Sequence, residues 1–185
     1  DDVVAPVAYF ATPAGAWMPA VNDEVALTGS WFCPGVPASG EEEIGGEVVV
    51  SNRADEQLVG SYSVLTADGR AVEAPVVVEP WSQAVIDVDS LVTAPFAGVV
   101  VEIEGGTGLV EQRAFHPAGD SVSPCANNTS DVWYFADGFT VDGSVETLIL
   151  TNPYDDTASV NLKFSTAAGE STPATSGAPP SASDH

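Results

Sequence analysis

VVVSNRADEQLVGSYSVLTADGR, residues 48 to 70, lies over LILTNPYDDTASVNLKFSTAAGE, residues 148 to 170, when the chain is slid on itself by 100 positions without a gap. Asn52 meets Asn152, Asp55 meets Asp155, Thr66 meets Thr166 and Gly69 meets Gly169, so the identities include residue types that make turns. Apolar phase is kept as well: Leu58, Tyr62 and Val64 fall on Ala158, Leu162 and Phe164. In the second copy Ala158, Val160, Leu162 and Phe164 alternate with Ser159, Asn161 and Lys163, the two-residue period of a strand with one face on a core and one in water. Upstream, Trp31-Phe32 corresponds to Trp133-Tyr134, the offset changing by two residues to absorb a different turn around Gly45-Gly46. A repeat of about 100 residues holding about seven short strands reads as tandem immunoglobulin-like sandwiches, not as a solenoid of short units.

Working outward from the repeat, short runs of Val, Ile, Tyr and Phe are separated by Gly, Pro, Asn and Asp, with no long 3.6-residue periodicity. The expected class is all-β. GVVVEIE, then Gly105-Gly106-Thr107-Gly108, then LVEQRAF reads as a hairpin, and Asp68-Gly69 marks another turn. The first sandwich unit is expected over residues 31 to 126 and a partial second unit over 127 to 170, where strand-like sequence stops. Residues 171 to 185, STPATSGAPPSASDH, lack Ile, Leu, Val and aromatics, the composition of a linker or an O-glycosylated stalk. Residues 1 to 30 carry strand-like VVAPVAYF and EVALT that have no place in the first unit. An incomplete sandwich exposes a sheet edge, which natural proteins cover.

The charge balance narrows the partners. Twenty-seven Asp and Glu face four basic residues, Arg53, Arg70, Arg113 and Lys163, for a formal charge of -23 and a pI near 4.1. Nucleic acid and anionic membrane surfaces both demand clustered cations, so neither is an expected partner. No run reaches the roughly 18 apolar residues of a bilayer span, so no membrane span is expected. Cys33 and Cys125 are the only cysteines. One disulfide is the economical reading and indicates an oxidising, extracytoplasmic location. The alternatives are a metal site or a reactive thiol, and a zinc site would have only His116 and His185 to add. The opening Asp1-Asp2 has no basic leader region, so the chain reads as a processed form or a piece cut from a longer tandem array.

At WFCPG (31 to 35), SPCA (123 to 126), WYFADG (133 to 138) and LILTNPYDD (148 to 156) the chain resembles a family of secreted actinobacterial proteins of unknown function. Its members have tandem β-sandwich units, with a Trp-Tyr-Cys-Pro-Gly start, a second Cys after a VVEQR-like strand and a Trp-Tyr-Phe-Ala-x-Gly start to the next unit. VEQRAF (110 to 115) stands here in the place of that strand, and the similarity covers residues 31 to 170. The resemblance implies an exported protein with a Cys33 to Cys125 bridge, and it implies no activity. The chain departs from the pattern in lacking the rest of the second unit.

Residues able to do chemistry are sparse. No G-x-S-x-G turn is present, and the one internal histidine, His116, sits at a strand end before Pro117, where a loop role is expected. Acid pairs are so numerous that their proximity in sequence carries no signal for two-carboxylate catalysis. We therefore expect no enzyme and no required cofactor, with calcium the one candidate ion. Asp87-x-Asp89-Ser90 starts like a calcium loop without its glycine and distal Glu, while Asp137, Asp142 and Glu146 surround one turn and Asp155-Asp156 another. Glu41-Glu42-Glu43 reads as a hydrated loop. Trp31 and Trp133, at equivalent repeat positions, are expected to pack, whereas Trp17 and Trp81, near Pro19 and Pro80, are candidates for stacking on a sugar. Asn127 and Asn128 begin two overlapping N-glycosylation sequons.

The first expectation is a non-catalytic structural or assembly protein of the cell surface, with partners that are copies of itself or other surface proteins. Residues 1 to 30 would donate a strand to the incomplete unit, with Val3, Val7 and Tyr9 as plugs. The second is a glycan-binding or adhesion module built on exposed aromatics, with or without calcium.

Overall fold

The computed structural model describes residues 28–40, 43–105, 108–135, 147–154, 157–166 and 169–171. Val3, Val7, Tyr9 and Trp17 lie outside them, as do Glu41, Glu42, Asp137, Asp142, Glu146, Asp155 and Asp156. Through Pro153 the chain forms one unit, and a second runs from Tyr154.

Three consecutive valines decide the centre of the first unit. Val48, Val49 and Val50 lie in β2 (Gly45–Ser51), which pairs on one side with β5 (Gln83–Asp87) and on the other with β7 (Leu109–Phe115). A central strand is covered on both edges, and all three side chains are fully buried. Each such burial contributes about 1.5–3 kcal/mol. With β8 (Ser121–Pro124) the order of this sheet is β5-β2-β7-β8.

The facing sheet contains β1 (Thr28–Ala38), β3 (Leu58–Thr66), β4 (Gly69–Val78) and β6 (Ala94–Glu104), ordered β1-β6-β3-β4. All pairings in both sheets are antiparallel. Val64, Val99, Val101 and Ile103 meet Val48, Val50, Ile86 and Val110 in one core. The all-β class is as the sequence indicates, in the form of a sandwich of two four-stranded sheets.

Cys33 of β1 and Cys125, just after β8, are disulfide-bonded across the sheets. The chain at this point passes from one sheet to the other. The Cys125 N–H donates to Val110 O at 2.9 Å, then Ala126 exchanges two backbone hydrogen bonds with Phe32, at 2.6 and 2.9 Å. The side of the sandwich between β1 and β8 is therefore closed both covalently and by backbone pairing.

Three expectations are corrected. GVVVEIE and LVEQRAF do not form a hairpin, because β6 and β7 belong to opposite sheets. Their apolar residues face each other through the core, so the glycine-rich link joins opposite sheets; a side chain on Gly108 would collide with Ile103. The N-terminal boundary also moves. Thr28, Gly29 and Ser30 already pair with Glu104, Ile103 and Glu102, so the extension ends at residue 27. Finally, the alternating run from 158 to 163 is no strand and, Leu162 aside, is exposed. Among the described residues no opposing sheet supplies the core that its pattern anticipates.

The second unit, from Tyr154, contains a short hairpin of β9 (Phe164–Thr166) and β10 (Gly169–Ser171). Its register repeats that of β3-β4. Thr66 pairs with Gly69 and Thr166 with Gly169, and the two glycines have φ of 113° and 117°. The left-handed backbone explains the repeated glycine.

Candidate functional site

The clearest anomaly of the molecule is apolar sequence without a core. Ser130 makes a local turn: its hydroxyl donates to Val132 O at 2.8 Å, and its carbonyl accepts the Trp133 indole N–H at 3.0 Å. Trp133, Tyr134 and Phe135 follow, all exposed, Tyr134 at 93%. Trp31 instead packs against the core, so the equivalence of Trp31 and Trp133 in sequence does not extend to their burial.

Residues 147 to 153 show why. Ile149, Thr151 and Pro153 are half-buried while Leu148, Leu150 and Asn152 are exposed, the alternation of a strand although no ladder forms among the described residues. The half-buried side rests on glycines of β1 and β6. A Cβ on Gly35 would lie 2.6 Å from Ile149 Cδ1, and one on Gly98 would lie 2.6 Å from Thr151 Cγ2. Gly98 sits between Ala97 and Val99 of the core, so Thr151 lies on the outer face of that sheet.

The repeat now acquires a geometric meaning. Leu148 and Leu150 correspond to Val48 and Val50, the core-facing residues of β2, yet they are 42% and 52% exposed. The sequence phase of β2 is thus retained without its burial. Val160 and Phe164 are exposed too.

Elsewhere, Trp81 is exposed in the turn between β4 and β5. Asn127 and Asn128 are both exposed, as glycosylation would require. His116 closes a turn: its Nδ1 accepts from the Ala118 N–H at 3.0 Å. The Asp89 carboxylate accepts from the Gly40 N–H, and Asp87 accepts from Ser90. Among the described residues no three His, Cys, Asp or Glu converge as a metal site, and no helix is long and apolar enough to cross a membrane. Sequence reasoning did not single out Asn52 beyond its repeat identity. It is buried, its amide donates to Glu56 O, Val78 O and Glu79 O at 2.7–3.1 Å, and its carbonyl accepts from the Ala54 N–H.

No family model matches the chain, and no curated protein matches it. Among solved structures, the crystal structure of Thermotoga maritima 1070 is similar over 54% of this chain and 94% of that one, with 14% identity and a TM-score of 0.44.

Proposed function

We propose that this chain is a non-catalytic structural protein of the cell surface that assembles by strand donation beside its second repeat copy, residues 148 to 170. One observation carries the reading: Leu148 and Leu150 keep the phase of Val48 and Val50 but are about half exposed where those valines are fully buried. Burying the exposed half of each would contribute about 0.7–1.5 kcal/mol, roughly half the value of a core position.

The donor we assign is residues 1 to 27 of a neighbouring copy, with Val3, Val7 and Tyr9 as the alternate side chains entering the open face. An exchange of that kind runs head to tail and does not close, so it produces filaments or long oligomers. The Cys33–Cys125 bridge supports an extracytoplasmic setting. The resemblance to secreted actinobacterial proteins with tandem sandwich units points the same way.

Light scattering on the full chain and on one lacking residues 1 to 27 tests this. Large species from the full chain and a folded monomer from the truncated one are expected. Two folded monomers at high concentration would refute it.

A further inference from the structure

Trp81 is 73% exposed at a backbone position that suits glycine. The Ser82 N–H donates to Glu79 O at 3.2 Å, closing a turn with Pro80 second and Trp81 third; Trp81 has φ of 55°. Proline followed by a positive φ is the type II pattern, in which the third residue is ordinarily Gly or Asn. A large aromatic there is strained, and such strain persists where surrounding structure enforces it. The enforcement is visible. The Trp81 N–H donates to Ala54 O at 3.2 Å, the Asn52 N–H donates to Ser82 O at 2.9 Å, and the buried Asn52 amide ties down Val78 and Glu79.

The indole borders an open cleft of about 840 Å³, lined also by Arg53, Gln83, Leu109 and Glu111. Gln83 is oriented by donating from Nε2 to Ser51 Oγ at 2.9 Å. An apolar ring thus stands among planar groups that together donate and accept hydrogen bonds. This chemistry matches a pyranose, whose C–H face covers an aromatic ring while its hydroxyls meet amide, guanidinium and carboxylate. The charge selects among sugars. Arg53 is accompanied by Glu111 at the cleft, and the chain carries a net charge of -23, so anionic glycans are repelled.

We propose that the Trp81 cleft binds a neutral hexopyranose polysaccharide. The site lies at one end of the β5-β2-β7-β8 sheet and does not depend on strand donation into the second unit.

The experiment is affinity electrophoresis of the full chain through gels containing a β-glucan, an α-glucan, a mannan or a galactan, with the indole N–H signals followed by NMR. Retardation by at least one polymer and a shift of the Trp81 indole signal are expected. Trp81→Gly should weaken binding roughly tenfold or more. It should not lower the melting temperature, because glycine relieves the turn. Gln83→Ala and Arg53→Ala should weaken binding without abolishing it, and Trp81→Phe should restore part of it. No retardation in any gel, retardation unaffected by Trp81→Gly, or an indole signal that responds only to protein concentration would each overturn the proposal; the last would make Trp81 a contact between copies.

Discussion

β2 and residues 148 to 151 have nearly interchangeable sequences, VVVS and LILT, and opposite fates. Val48 and Val50 are sealed between two sheets, whereas Leu148 and Leu150 are about half exposed. Local pattern sets which side chains share a face in both places. Burial is a property of what lies opposite, and among the described residues only the first region has strands on either side and a sheet across. Gly60 sharpens the contrast. It pairs with Ile103 so closely that a Cβ would strike the Glu102 carbonyl, yet its counterpart is Val160. A strand completing the second unit cannot approach that position as β6 approaches β3.

The largest effect should come from the bridge that the second copy lacks. Replacing Cys33 and Cys125 by serine frees a loop of 92 residues, a loss of about 4–5 kcal/mol on loop-entropy grounds. Urea unfolding followed by tryptophan fluorescence measures it. A loss below about 1 kcal/mol would mean that the Phe32–Ala126 pairing alone closes the sandwich.

Next is the repeated asparagine. Asn52→Ala removes a buried amide that serves three carbonyls and a backbone N–H, at a cost of about 2–3 kcal/mol. Asn152 is exposed, so Asn152→Ala should cost less than about 1 kcal/mol. Equal losses in calorimetry would show that the second copy is built like the first.

Much of this was legible in the residues. The apolar phase shared by the repeat fell on β3, Asp68-Gly69 located its turn, and the repeat paired Gly69 with Gly169. Pairing partners were harder, because a glycine-rich link such as 105 to 108 serves a hairpin or an arch between sheets equally well. Whether the pattern at 158 to 164 is buried could not be read at all, since that depends on a sheet that local sequence does not encode. At Trp81 the preceding proline signalled a turn, but the positive φ that holds the ring outward becomes visible only through the hydrogen bonds of Asn52 and Ala54. Gly98 was a hint left unread: an isolated glycine in a strand marks close approach, and the segment that approaches is some fifty residues away.

That contact gives the third test. Gly98→Val inserts a side chain where Thr151 Cγ2 lies, and overpacking of this kind costs about 1–3 kcal/mol when nothing can move. The segment from 147 to 153 has no ladder among the described residues, so it should yield before the sandwich does. The Ile149 and Thr151 methyl NMR signals should move toward their free positions while hydrogen exchange leaves the amides of β2 and β6 protected. Acceleration throughout β6 would show instead that the glycine serves the sheet itself.

The smallest change in stability should come from the residues with the greatest proposed importance. Leu148→Ser together with Leu150→Ser alters side chains that are already exposed, so dilute monomer should keep its stability within about 0.5 kcal/mol. The corresponding changes at Val48 and Val50 remove fully buried groups and place hydroxyls in the core, which should unfold the sandwich or cost well over 3 kcal/mol. Sedimentation of the leucine variant separates two meanings of its bare face. Loss of large species with unchanged monomer stability makes Leu148 and Leu150 the seat of assembly. Retention of those species would place the contacts between copies elsewhere, and a destabilised monomer would mean that the face is covered within the chain.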